Sequence, residues 1–264
     1  MNVFKRVLKT GLVVMAALLL VYLSAQGIRH MRVADASQLQ TDHFRILYSG
    51  ILPAEASAIA RQLEANYEPV NKSLRNLYHP LITVHIHPNQ GAFNEATGLG
   101  GSKANGTSRG PYTIHLMYQT WFNTFFPDDM RKVAVHEFTH CAQLNILLNE
   151  APDRAAADFE QRFEKRFAEQ YPRWFWEALS DYEAGMVNKW SVRYGMRSKP
   201  SLQSLNQGNM IYKVGYTAVE YMVKKWGRDK PALFIRTYGN FREVLGVTEA
   251  EFEEGWRTFV KEHY

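Results

Sequence analysis

The sequence predicts an α+β fold in which a small N-terminal sheet precedes a mainly helical C-terminal half. Three segments in the first half alternate apolar and polar residues, as half-buried strands do: residues 43–48, 82–87 and 112–117. Between the first two, apolar residues recur every three or four positions over residues 53–77, which predicts an amphipathic helix. Because the strands come before most of the helices, we expect an α+β layout.

The second half of the chain is predicted to be helical almost throughout. Asp128 and Asp129 suit the N-cap and first turn of a helix over residues 130–148. A charged stretch at residues 153–170 predicts a helix that faces solvent. Later helices are predicted at residues 174–185, 212–226, 231–238 and 249–263, the last opening with a capping box at Thr248 and Glu251.

The N-terminal segment resembles an export signal. Lys5, Arg6 and Lys9 precede an apolar stretch at residues 11–23 that ends in small residues. This stretch is short for a bilayer span of ~20 residues, although it lengthens if its flanking apolar residues are counted. A cleaved signal and an uncleaved anchor therefore both stay open.

Three parts are predicted along the chain. Residues 1–27 are predicted to be a signal peptide or a membrane anchor held by residues 11–25, and residues 28–40 a linker. Residues 41–264 are predicted to form the functional domain, exported to the periplasm or another space outside the cytoplasm, with a membrane tether if the anchor is retained.

Composition excludes several classes of protein. The 264 residues carry a formal net charge of +5 that is spread along the chain, so a nucleic-acid partner is not predicted. The single cysteine, Cys141, rules out an internal disulfide and a cysteine-rich zinc module. We expect Cys141 to be buried packing, because it follows His140 and points away from the face that His140 occupies.

A metal site is predicted on the helix over residues 130–148. His136 and His140 are four residues apart, so both imidazoles can point at one ion from the same face. Glu137 is offset by one residue, where it can act on a water molecule instead of binding the metal. Two neutral nitrogen ligands and an adjacent carboxylate base are what a hydrolytic Zn²⁺ site requires.

A catalytic zinc ion usually has three protein ligands, so a third is expected downstream. Glu177 lies on the predicted helix over residues 174–185 and is our candidate. Asp181 is four residues further on and shares its face, so it could accept a hydrogen bond from a ligand histidine and fix the ring. Trp174, Phe175 and Trp176 are interpreted as core that holds the two helices together.

The segments HEFTH and P-x-W-x-x-E-A-L-S-D-Y resemble those of the gluzincin metallopeptidases, most closely the peptidase MA-like group. The resemblance implies a zincin-like fold, with His136, His140 and Glu177 as zinc ligands and Glu137 as the residue that activates water. There are two departures from the family pattern. Ala178 stands where glycine is common, and the gap between His140 and Glu177 is longer than in several branches.

The same resemblance suggests how a peptide or protein substrate is bound. Such enzymes often place a tyrosine or histidine from the C-terminal half beside the developing oxyanion, and Tyr212 and Tyr216 are the candidates here. We expect the strand at residues 112–117 to offer an open edge to an extended substrate. The glycine-rich residues 98–111 are interpreted as a mobile flap near the cleft.

The predicted function is that of a zinc-dependent peptidase acting outside the cytoplasm, with Glu137 as general base. The alternative is a non-catalytic zincin-fold module that serves binding or assembly in the cell envelope. His85 and His87 share one strand face, which makes a second metal site conceivable, but we interpret them as solvent-facing strand residues.

Overall fold

A computed structural model describes residues 36–101, 103–118 and 129–264. The predicted signal or anchor (residues 1–27, with the membrane segment at 11–25) lies outside these residues, as does most of the predicted linker. Asp128 lies outside them too. Within the described ranges, no helix has both the length and the apolar character needed to cross a membrane.

The five strands of the described chain are β1 (Ser37–Gln40), β2 (Phe44–Tyr48), β3 (Ile82–His87), β4 (Gly106–Ser108) and β5 (Thr113–Met117). They form one sheet in the order β1-β2-β3-β5-β4. The central strands β2, β3 and β5 are parallel, whereas β1 and β4 run antiparallel at the two edges. The three predicted strands are therefore confirmed as the centre of the sheet.

The helices described are α1 (Pro53–Leu74), α2 (Gln90–Thr97), α3 (Met130–Asn149), α4 (Phe159–Gln170), α5 (Arg173–Glu183), α6 (Lys189–Met196), α7 (Leu202–Leu205), α8 (Ile211–Trp226), α9 (Lys230–Arg236), α10 (Phe241–Leu245) and α11 (Glu249–His263). The mixed α+β class is thus confirmed. Asp129 caps α3 by accepting the backbone N–H of Arg131, and Thr248 and Glu251 form the predicted capping box of α11.

The structure adds two strands at the edges of the sheet and contradicts one prediction about an edge. The end of the predicted linker forms β1, which pairs with β2. Residues 106–108 of the predicted flap form β4, which pairs with β5. The prediction that the strand at residues 112–117 has an open edge is wrong, because β5 lies between β3 and β4. On that side of the sheet, the edge strand among the described residues is β4. In addition, α4 begins only at Phe159, because residues 153–158 are turns.

The two faces of the sheet differ in chemistry. On one face, Val84, Ile86, Ile114 and Leu116 are buried in the core that the sheet shares with α1 and α3. Strand alternation places the neighbouring histidines of β3 and β5 on the opposite face. Helix α3 also packs against β4 and β5, so the sheet edge and the predicted metal-binding helix are in direct contact.

Helix α5 is held between α3 and α8. Its first turn buries Trp174 and Phe175 among the aromatic side chains of the C-terminal helices, with Phe175 and Phe234 ring centroids 4.7 Å apart. These two residues belong to the core, as predicted. Burial of such large rings fixes α5 beside α3, which brings the downstream carboxylates to the two histidines.

Candidate metal centre

His136, His140 and Glu177 converge in one buried cluster. His136 Nε2 is 3.0 Å from His140 Nε2 and 3.3 Å from Glu177 Oε2, and His140 Nε2 is 3.7 Å from the same oxygen. A tetrahedral ion with metal–ligand bonds of about 2.1 Å separates its ligand atoms by roughly 3.4 Å. The three donor atoms are therefore spaced as ligands of one metal ion would be. Within the described residues, His136, His140 and Glu177 form a group that could hold such an ion.

The cluster is shielded from water. His136 is 7% exposed, His140 is 4% exposed and the Glu177 side chain is 13% exposed. Nitrogen and carboxylate donors of this kind suit first-row divalent ions. Because the carboxylate comes from α5 and the histidines from α3, the packing of these two helices assembles the site.

The cluster is arranged electrostatically to hold a positive charge. Burial alone would lower the pKa of His136, but hydrogen bonds to Asp181 and Glu177 outweigh burial and raise that pKa well above its usual value. Burial would likewise raise the pKa of Glu177, but hydrogen bonds from His136 and His140 lower it overall. A proton on His136 or a divalent cation can supply the charge that these carboxylates attract.

Asp181 lies where the sequence places it. Its Oδ1 is 2.9 Å from Nδ1 of His136, and the residue is buried. When Nδ1 donates its proton to this carboxylate, the Nε2 lone pair of His136 is directed toward Glu177 and His140. Asp181 therefore selects the tautomer of His136 that can bind a metal.

His140 is oriented by a neutral network that the sequence did not reveal. Ser180 Oγ is 2.9 Å from Nδ1 of His140, and the Ser180 hydroxyl donates to the carbonyl of Trp176 at 3.1 Å. The Gln143 amide donates to Ser180 Oγ and to the Trp176 carbonyl, and its own oxygen accepts from the Tyr171 hydroxyl at 2.9 Å. Since the hydroxyl proton of Ser180 is already used, its oxygen accepts from Nδ1–H of His140, and Nε2 is left free for a metal.

Trp176 has a second role at this ligand. Its ring stacks on His140 with a centroid distance of 4.2 Å and an interplanar angle of 10°. The rings of Phe167 and Tyr171 pack against the same indole in edge-to-face contacts. Trp176 was predicted to be core; it is partly buried, packs against the core and covers the His140 ring.

Glu137 is buried against the edge strand. It is 6% exposed, and the backbone N–H of Ser108 on β4 donates to its carboxylate. A Cβ on Gly106 would lie 2.7 Å from Glu137 Oε1, so the absence of a side chain at Gly106 makes room for this carboxylate. Burial raises the pKa of Glu137 to about 7, with His136 opposing the rise and Glu177 adding to it. Such a carboxylate can accept or donate a proton near neutral pH.

The two candidate tyrosines lie in different surroundings. Burial raises the pKa of the Tyr212 hydroxyl, and the Glu177 carboxylate beside it raises the pKa further. Tyr212 is half exposed, so its ring reaches from the metal cluster to the surface. Tyr216 instead packs on Tyr182 with ring centroids 5.3 Å apart; burial raises its pKa, and the carboxylates that raise this pKa further are Glu220 and Glu183. Only Tyr212 is adjacent to a predicted metal ligand.

The strand histidines form a second cluster with a different character. His87 Nε2 is 2.9 Å from His115 Nδ1, and the His85 ring stacks on His115 at 4.8 Å. Our expectation that His85 and His87 face solvent holds in part, because both are partly exposed while Phe93 of α2 packs against His87. Burial lowers the pKa of all three rings, to about 4 for His115.

Cys141 is fully buried behind the metal-binding face, as predicted. Burial raises the pKa of its thiol far above the usual range, and Cys141 is not a member of the candidate metal cluster. The assignment of the metal centre therefore depends on His136, His140 and Glu177.

No protein-family model matches the chain, and no curated protein matches it.

Proposed function

We propose that this protein is a zinc-dependent metallopeptidase of the gluzincin type. The observation that carries the proposal is the buried His136–His140–Glu177 cluster with the Glu137 carboxylate beside it. Two histidines and a glutamate are the ligand set of several catalytic zinc sites. When bound, zinc would supply the Lewis acid that polarises the scissile carbonyl and acidifies the attacking water.

Glu137 is proposed as the general base. It would take a proton from the attacking water and return that proton to the leaving amine. Its place supports this shuttle, because a carboxylate buried beside the candidate ligands can accept a proton in one step and release it in the next. Its burial keeps bulk water from competing for the proton.

A peptide substrate is favoured by the position of β4, which lies at an edge of the sheet within the described residues. This strand is the last in the sheet, and Ser108 of the same strand bonds Glu137, so an extended chain added to that edge would run beside the general base. Tyr212 is proposed as the donor to the oxyanion, since its hydroxyl lies beside Glu177. Tyr216 has no such position.

The proposal is tested by measuring zinc content and the cleavage of a quenched fluorogenic peptide library together. Glu137→Gln should retain one zinc per chain and lose about 10²–10⁴-fold in cleavage rate, the usual contribution of a general base. Tyr212→Phe should lower kcat by about 10²-fold, the cost of one oxyanion donor, whereas Tyr216→Phe should not change it.

Two results would contradict the proposal in different ways. Purified protein that binds no zinc would remove the metal centre itself. Stoichiometric zinc without cleavage of any peptide would favour the alternative, a non-catalytic zincin-fold module for binding or assembly in the cell envelope. Fractionation of the expressing cells would test the proposed export, since the protein should be found outside the cytoplasm, free or tethered to the membrane.

A further inference from the structure

The segment that follows the metal-binding helix α5 has an unusual charge pattern. From residue 184 to residue 219 the chain contains five lysines and arginines and no aspartate or glutamate. The whole chain has 31 basic and 26 acidic residues, and residues 1–34 are another long stretch with five lysines and arginines and no acidic residue. A stretch of one sign creates a local positive potential that the mild net charge of the whole chain does not convey.

The same segment exposes large aromatic side chains. Trp190 is 78% exposed, Tyr194 is 55% exposed and Tyr212 is 50% exposed. Trp190 and Tyr194 are four residues apart on α6, so they share one helix face. Exposed tryptophan and tyrosine next to arginine are the composition of binding surfaces.

Contacts connect these residues to the metal centre. Lys213 Nζ lies 5.4 Å and Arg197 Cζ 5.9 Å from the centre of the Tyr194 ring, so one aromatic ring holds two cations. Lys213 follows Tyr212, whose hydroxyl lies beside Glu177. We call Arg173, Trp190, Tyr194, Arg197, Tyr212 and Lys213 the basic aromatic face.

The cations of the basic aromatic face are available for a ligand. Within the described residues, Arg173, Arg197 and Lys213 make no ion pair with a carboxylate; Arg173 donates instead to the carbonyls of Asn206 and Gly208. The two cations within α6 are engaged differently, because Arg193 donates to the carbonyl of Tyr264 and Lys189 lies over the Tyr264 ring.

We propose that the basic aromatic face binds an acidic segment of the peptide substrate and so directs the enzyme to substrates with aspartate or glutamate near the scissile bond. The inference rests on the proposed function and deepens it. A peptide is favoured as the occupant because the face continues through Tyr212 to the metal ligands, where a substrate must lie. Cations held on aromatic rings lose little mobility on binding carboxylates, and their field increases the rate of encounter.

Direct binding tests this proposal without turnover. Zinc-loaded Glu137→Gln protein is titrated into an amidated, fluorescein-labelled peptide of alternating Glu and Ala, and into its counterpart with Gln in place of every Glu. The acidic peptide should bind more tightly, and its affinity should fall as NaCl is added. Adding Arg197→Gln and Lys213→Gln should weaken that binding about tenfold, the combined effect of two exposed charge pairs.

Matched controls separate a specific site from general charge. Arg154→Gln with Lys165→Gln removes two exposed cations from residues 154–165, outside this face, and should leave the affinity unchanged. Trp190→Ala should weaken the acidic peptide while keeping its salt dependence. Equal binding of the Glu and Gln peptides would overturn the proposal, as would equal losses in the two double variants. Binding to phosphatidylglycerol vesicles but not to the acidic peptide would overturn it in favour of a membrane contact.

The outcome is distinguishable from failure of the proposed function. Suppose that the parent protein cleaves peptides without a preference for acidic substrates, or that the Arg197→Gln and Lys213→Gln double variant keeps such a preference. The proposed role of the basic aromatic face is then refuted, while the peptidase proposal stands. If no peptide is cleaved but the acidic peptide still binds through this face, the peptidase fails while the recognition surface stands.

Discussion

Ser180→Ala is predicted to weaken metal binding although Ser180 is not a ligand. The Ser180 oxygen accepts from Nδ1–H of His140 at 2.9 Å in a buried site. A metal on Nε2 requires the proton to be on Nδ1, so the metal-bound form depends on this acceptor. Without a metal, His140 can shift its proton to Nε2 and satisfy it there. The cost of the substitution therefore falls on the bound state.

The size of the effect follows from the burial of this hydrogen bond. A buried donor that loses its partner costs about 1–3 kcal/mol, since water cannot replace the acceptor. This corresponds to roughly 5- to 150-fold in the metal dissociation constant, consistent with the 10–100-fold typical of residues that orient metal ligands. Gln143 still donates to the Trp176 carbonyl in the variant, so the rest of the network stays in place.

The assay is competition for zinc against a chelator of known affinity, with thermal unfolding of the metal-free protein as a check on the fold. Thr139→Val is the matched control: it deletes another buried hydroxyl, one residue from His140, that donates to the Val135 carbonyl of its own helix. The control should keep the parent affinity. Parent-like affinity in Ser180→Ala, or an equal loss in both variants, would refute the reasoning.

Two further predictions concern stability and pH in the metal-free protein. Burial raises the pKa of Glu183 to about 7, although the hydrogen bond from Ser73 opposes this rise, so the free energy of unfolding should fall as pH rises from about 4.5 to 7. In urea unfolding, the Glu183→Gln variant should be more stable than the parent by up to ~3 kcal/mol at about pH 8 and equally stable near pH 4. Burial, then repulsion from His85 and His87, lowers the pKa of His115 to about 4, so stability should fall as pH drops below about 6.5. His115→Gln should lose about 2 kcal/mol less than the parent between pH 7 and pH 5, and equal losses would contradict the assignment.

The ligand cluster could be predicted from sequence because its spacing is helical. His136 and His140 must share a face of any helix that contains both, and Glu177 and Asp181 repeat the same interval on α5. The large aromatic residues at the start of α5 then favoured burial against a neighbour. These local rules predicted that His136, His140, Glu177 and Asp181 lie close together. The distances between their side-chain nitrogen and oxygen atoms agree with that prediction.

Elements that depend on distant partners could not be predicted in this way. β4 has three residues, Gly106 to Ser108, with no apolar alternation, and it is a strand only because β5 provides its hydrogen bonds. The short helices α2, α6, α7 and α10 contain too few turns for a clear apolar period. The adjacency of Gly106 and Glu137 likewise joins two separate segments, so neither glycine content nor motif spacing could show it.

The difference between the supports of the two histidines follows from the charge of the site. His136 is held by the Asp181 carboxylate, whereas His140 is held by the neutral hydroxyl of Ser180. Glu137, Glu177 and Asp181 already place three carboxyl groups around one buried cluster. A fourth would add repulsion and a further desolvation cost that a single divalent ion could not offset. A hydroxyl fixed by an amide orients the second ring without adding charge. Its partners lie on two separate helices, α3 and α5, which is why no short motif reveals it.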